Sequence, residues 1–359
     1  MKRLRPISIL VSCLLLSASA QAQISLAPPS AQTPPAASKP AAKPKAKPPA
    51  AAKNSAVHAA KPAAPAAAPT ATVTPAPVPD DPNVDLVFGA YQRGQYKTAF
   101  DLATKRAQDS GDPKAMTMLG ELYANAMGVK RDYAKAADWY KRAADGGDRE
   151  AMFALAMLRI AGRGGPVNHE EAAKLLASSA KLGNPKAAYN LALLYLDGQT
   201  LPQDVKRAAE LFRVAADAGN PEAQYALATF YKEGTGVEKD INKAVRLLQA
   251  ASLADNVDAE VEYAIALYNG TGTPKNEAAA VALLRKAARQ NSPIAQNRLA
   301  RVLVSGQGAP MDKIEGLKWH IVAKTAGKGD PMLDEALADL SPEDRAKVDA
   351  AARKWLGTK

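Results

Sequence analysis

Ser178-Ser179-Ala180-Lys181 spells S-x-x-K, a spacing that sets a serine hydroxyl one helical turn from a lysine amine and suits acyl transfer. The motif works with an S-D-N and a K-T-G elsewhere in the chain, and neither is present. His58, His169 and His320 are the three histidines, too far apart to read as a metal-ligand spacing. Cys13 is the single cysteine and lies in an N-terminal apolar run, so no disulfide, thiol nucleophile or cysteine metal centre is expected beyond it. Gly-x-Gly pairs such as Gly234 and Gly236 follow helical rather than strand patterns, and no G-K-[ST] accompanies them, which excludes a phosphate loop. The expectation is a non-enzyme with no catalytic, cofactor-binding or metal residues.

The elements that would have to position any chemistry are repeats. Alanines at 115, 151, 187, 223, 259 and 295 open six copies, each 36 residues after the last, with no insertion between them. Leu119, Leu155, Leu191, Leu227, Tyr263 and Leu299 come four residues in. Ala126, Gly162, Gly198, Gly234, Gly270 and Gly306 come eleven in, and Asp132, Asn168, Asp204, Asp240, Asn276 and Asp312 seventeen in. Within the fourth copy, Ala223, Leu227, Ala228 and Tyr231 form one helical stripe, as do Ala244, Leu247, Leu248, Ala251 and Ser252. Gly234 and Gly236 turn the chain between the two helices, and Asp240 stands where a side chain caps the second. Asn184-Pro185 and Asn220-Pro221 stop a second helix and start the next copy. One helix pair cannot bury its apolar face, but stacked pairs share a continuous core.

The pattern Ala223, Tyr225, Leu227, Tyr231, Gly234, Gly236, Val237, Asp240, Lys243, Ala244 resembles the Sel1-like repeat, a relative of the tetratricopeptide repeat. Trp139, Tyr140, Lys141, Ala143 and Ala144 match the family's second helix, while Arg159, Thr200 and Thr273 depart from its pattern. The resemblance implies an all-α, right-handed α/α superhelical solenoid. The expected organisation is a signal peptide over 1–22, a disordered Pro/Ala/Lys-rich linker over 23–79 and capping helices over 80–114. Six repeats over 115–330 and a C-terminal cap over 331–359 complete it. In the C-terminal cap Ser341 should start a helix, with Pro342 at its first position.

Lys2, Arg3 and Arg5 precede a short apolar core, Ile7 to Leu16, and Ala18-Ser19-Ala20 or Ala20-Gln21-Ala22 would suit cleavage. That core is too short to span a membrane, so the mature chain is expected in the periplasm without a transmembrane segment. Leu10-Val11-Ser12-Cys13 resembles a lipidation site only loosely, because the apolar core continues through Cys13. The net charge of +11 sits largely in these three residues and in Lys39, Lys43, Lys45, Lys47, Lys53 and Lys61; residues 80–359 retain +2. A nucleic-acid partner needs a basic stripe on the folded part, and none of that size remains. The linker lysines either space the array from an anchor or touch anionic envelope polymer or lipid.

By analogy with tetratricopeptide repeats, a partner would meet a concave face of first helices, two and six residues into each copy. These positions hold Thr117, Phe153, Tyr189, Tyr225, Val261 and Asn297, then Glu121, Met157, Leu193, Thr229, Ile265 and Arg301. The central apolar stripe, Phe153, Met157, Tyr189, Leu193, Tyr225, Val261 and Ile265, is either an exposed protein-binding site or part of the core. The later repeats and the Lys318-Trp319-His320 segment are similar to periplasmic negative regulators of exopolysaccharide production in α-proteobacteria. That similarity implies a partner such as the periplasmic domain of an envelope sensor histidine kinase. Cysteine-rich Sel1-like proteins with lactam-binding activity carry cross-links that this chain lacks. The alternative is a structural envelope scaffold held to peptidoglycan or membrane by the basic linker.

Overall fold

The computed structural model describes residues 85–357, and the segments read above as signal peptide and linker, including Cys13 and the six linker lysines, lie outside them. The described residues form sixteen helices and no strand. Two lead-in helices, the short α1 (Leu86–Gln92) and the longer α2 (Tyr96–Ser110), come first. Six pairs follow: α3 (Pro113–Asn125) with α4 (Tyr133–Asp145), α5 (Arg149–Ala161) with α6 (His169–Lys181), and α7 (Pro185–Asp197) with α8 (Val205–Asp217). Then come α9 (Pro221–Glu233) with α10 (Ile241–Leu253), α11 (Val257–Asn269) with α12 (Glu277–Arg289), and α13 (Pro293–Ser305) with α14 (Lys313–Thr325). The chain closes with α15 (Pro331–Ala338) and α16 (Pro342–Gly357). Through the six repeats each helix packs mainly on its neighbours in sequence, the arrangement of a solenoid.

Local chemistry fixes each pair. Asp132, Asn168, Asp204, Asp240, Asn276 and Asp312 all cap the second helix, each accepting the backbone N–H three residues on at 2.9–3.0 Å. The first helices are capped too, by Asp112, Asp148, Asn184, Asn220, Asn256 and Ser292. Asn184 and Asn220, read in the sequence as ending one copy and starting the next, cap the following helix, with proline at its first position. Between the helices of a pair the backbone enters the left-handed region, from Gly162 at φ 61° to Gly234 at φ 76°, and even Ala126 does so at φ 59°. The turn closes when the capping residue's N–H donates to the carbonyl nine residues earlier, as from Asp240 to Tyr231 at 2.9 Å.

The second glycine of the turn does more than adopt a positive φ. A Cβ on Gly164 would lie 2.1 Å from the Tyr133 carbonyl oxygen, and one on Gly236 2.7 Å from that of Val205. The turns of copies two, four and five thus rest on the backbone at the start of the preceding copy's second helix. Where Thr200 replaces this glycine, Gln203 steadies the turn by donating its side-chain amide to the Leu196 carbonyl at 2.8 Å.

The core runs between the two helix rows. Leu119, Leu155, Leu191, Leu227 and Leu299 are all buried, each worth about 1.5–3 kcal/mol against exposure. Alanine fills the tight helix contacts, and copy one uses Gly120 because a Cβ there would fall 2.5 Å from the Tyr140 ring. At the C-terminal end Ser341 Oγ accepts the Asp344 N–H at 3.1 Å, and α16 packs Val348, Ala352 and Trp355 against the last repeat. The Trp355 and Trp319 rings meet edge to face at 4.9 Å.

Candidate functional site: the row of first helices

The seven stripe residues all sit on first helices, but they differ in burial from copy to copy. Phe153 of α5, Tyr189 and Leu193 of α7, and Val261 of α11 are buried, whereas Met157, Tyr225 and Ile265 are half-buried. Exposure of the first four, expected by analogy, is therefore corrected. The reason lies in the second helices: Tyr189 packs against Phe212 of α8 at 5.6 Å between ring centres, and Phe212 against Phe230 of α9 at 5.4 Å. Burial, with Glu222 nearby, pushes the Tyr189 phenol well up from its ordinary value. Two residues into a copy, then, Phe153, Tyr189 and Val261 turn into the core, whereas Tyr225 stays partly open. The polar ends of the stripe divide similarly: Thr117, Glu121 and Thr229 are buried, Asn297 is half-buried and Arg301 exposed.

Other positions of the same helices reach water. The residue before each opening alanine is Lys114, Glu150, Lys186, Glu222, Asp258 or Ile294, each exposed or half-buried. Three residues in, Asn190 and Glu262 are half-buried and Arg298 is exposed. Copies four and five so carry Glu222, Asp258 and Glu262 on the same row of first helices as the half-buried Tyr225 and Ile265, with Asp258 and Glu262 close enough to interact. Lys232 of α9 crosses to Glu262 of α11 at 2.9 Å and partly offsets the charge. Asp258 keeps an exposed surface, yet loss of hydration at its carboxyl, and then Glu262, raise it above the ordinary carboxylate value. The first-helix row is thus mixed, with half-buried apolar side chains and an acidic run near α11. Reading the 36-residue register at one before and three after the alanine would have found these acids.

Two acids are wholly buried. Glu260 of α11 faces Lys286 Nζ of α12 at 2.6 Å, off the directions of a good hydrogen bond, and Lys286 also holds Asp255. The paired acids, Asp255 first, keep the Lys286 ammonium above its usual value. Glu121 of α3 is the other. At the far end His320 of α14 is fully buried with Nε2 2.8 Å from Asp334 Oδ1 of α15, tying the last repeat to the C-terminal cap. Arg301 and Asn297 hold the buried Asp330 at the start of α15.

The residues that spelled S-x-x-K do structural work. Ser179 is buried and donates its hydroxyl to the Arg149 carbonyl of the adjacent helix at 2.7 Å, while Ser178 and Lys181 face water. Among the described residues no group of three His, Cys, Asp or Glu side chains is placed to hold a metal ion. No helix there is long and apolar enough to cross a membrane.

The Sel1 repeat family matches residues 113–148, 149–184, 185–220, 221–256, 257–292 and 293–328, a frame two residues ahead of the alanine count. No curated protein matches the chain in sequence. A Sel1 repeat protein from Oxalobacter formigenes is similar in structure, with a TM-score of 0.60 and 26% identity over 67% of this chain and 98% of its own. So is c5321, a protective antigen of uropathogenic Escherichia coli with the same repeat fold, at a TM-score of 0.53 and 24% identity over 75% of this chain and 67% of its own. With six tandem copies in unbroken register over more than half its length, this chain belongs to the Sel1 repeat family.

Proposed function

We propose that this protein is a non-enzymatic interaction module of the cell envelope, acting in the periplasm as a regulator that binds the extracytoplasmic domain of a sensor kinase. Sel1 repeat proteins generally mediate protein–protein interactions, and the fold is typically a non-enzymatic scaffold. The observation that carries the reading is the unbroken six-copy array, whose first helices offer one long mixed surface. Along it Met157, Tyr225 and Ile265 are partly open, flanked by Glu222, Asp258 and Glu262. Partly exposed apolar side chains rimmed by charge suit a protein partner. The leader-like N-terminus and the similarity of the later repeats to exopolysaccharide regulators supply location and partner class. The buried residues of the stripe, Phe153, Tyr189, Leu193 and Val261, act by shaping that surface from beneath.

The second reading, an envelope scaffold, draws on the six lysines and absence of acids over residues 23–79, a composition suited to anionic polymer. Binding of the purified full chain to a purified sensor domain separates the two. Met157→Ser, Tyr225→Ser and Ile265→Ser together should weaken binding at least tenfold, while alanines at the exposed Lys239, Lys243 and Arg246 leave it unchanged. Loss of binding only in the lysine–arginine variant would place the partner on the second helices. Sedimentation of the chain with peptidoglycan, but no sensor binding, would favour the scaffold.

A further inference from the structure

The first repeat encloses an acid among neutral partners drawn from different elements. Glu121 of α3 is fully buried. Its carboxyl accepts from the Asn125 side-chain amide at 2.8 Å, from the Tyr140 hydroxyl of α4 at 3.4 Å and from the Tyr91 hydroxyl of α1 at 3.5 Å. From α2, the Tyr96 ring meets Tyr91 edge to face at 5.6 Å. The cation acting on the carboxyl is Lys186 of α7. Burial raises Glu121 to about 7, outweighing the two tyrosines, Lys186 and Asn125, which all lower it. Burial, then Glu121, Tyr96 and the bond to Glu121, push Tyr91 up to about 12, and burial with Glu121 pushes Tyr140 well above its ordinary value. Both phenols therefore keep their protons while the carboxyl titrates.

The anchorage of the two tyrosines differs. Tyr140 belongs to a thirteen-residue helix that buries five residues, whereas α1 has seven residues and buries only Val87 and Ala90. Hydrating a buried carboxylate requires some element to move, and the least anchored one moves at least expense.

We propose that Glu121 is a proton-controlled latch: with its proton it stays dry beneath α1, which remains seated on the first repeat, and without its proton α1 detaches and water reaches the carboxylate. An acid whose folded-state value is raised favours the closed state fully while both states are protonated, below about 4.5. That advantage declines as the pH climbs toward 7 and is gone above it. The latch therefore tightens in acid and loosens at neutral pH, independently of which partner the array binds.

Hydrogen exchange on the full chain tests this, each amide rate being divided by its pH-dependent chemical rate. Between pH 4.5 and pH 8 the amides of α1 should lose protection on the order of a hundredfold, while those of α9 change far less. In Glu121→Gln the neutral amide cannot titrate, so α1 should keep nearly constant protection across the range. Equal protection of α1 at both pH values in the unmutated chain overturns the proposal, as does a Gln variant that follows the unmutated profile. Should the variant fail to fold, the carbon-13 titration of the Glu121 carboxyl in the unmutated chain decides. A step near pH 7 coinciding with release of α1 supports the latch, and a step near pH 4.5 refutes it.

Discussion

Leu193→Ala tests most directly on which side of the first helices the apolar stripe lies. Leu193 is 3% exposed and packs in the central core with Tyr189, Phe212 and Phe230. The truncation removes three buried carbons, and at about 0.8 kcal/mol per methylene the transfer loss alone is roughly 2 kcal/mol. The cavity left in a packed interior brings the total to about 2–5 kcal/mol. In a solenoid that loss falls on copy three and its interfaces with copies two and four, so the transition should broaden or split as well as shift. Urea unfolding followed by far-ultraviolet circular dichroism measures both effects. Tyr225→Ala, half-buried, should cost about half as much, and Lys239→Ala, exposed, should stay within about 0.5 kcal/mol. A Leu193→Ala protein within about 0.5 kcal/mol of the unmutated one would put the side chain in water, and the assignment of the stripe to the core would be wrong.

Ala126→Gly should raise stability by about 1 kcal/mol, because Ala126 holds φ 59° in a turn where the five other copies carry glycine at φ 61–76°. A neutral or destabilising result in the same urea assay would mean that the turn tolerates alanine without strain. Asp330 gives a pH-dependent expectation: burial raises its carboxyl, but Arg301 and Asn297 outweigh burial and hold it below the ordinary 3.8. Its contribution is therefore present above about pH 3.8 and is lost as the pH falls through the folded-state value. Fluorescence of Trp319 and Trp355 in a Trp139→Phe background should report acid loosening of the C-terminal cap, and Asp330→Asn should remove that step. An unchanged acid transition in Asp330→Asn refutes the assignment.

Period, caps and turns were legible in the chain alone, since each is decided within a few residues. Asp240 caps because a carboxylate one position before a helix reaches the amide three residues on, whatever the array does around it. Glycine at 234 and 236 announces positive φ for the same local reason. The C-terminal helix was readable from Ser341-Pro342 likewise. Three things depended on tertiary structure. The sequence places Phe153, Tyr189, Leu193 and Val261 on one side of their helices, but how consecutive helices cross decides whether that side meets water or Phe212. Gly164 reads as a turn residue, yet its lack of a side chain also answers to the Tyr133 carbonyl thirty-one residues earlier. Glu121, a lone acid on a helix, reads as solvated, and only the approach of Tyr91 and Tyr140 from 30 and 19 residues away makes it a buried, titrating group. Short-range hydrogen bonds are written in the sequence, whereas desolvation belongs to the neighbours that the fold brings in.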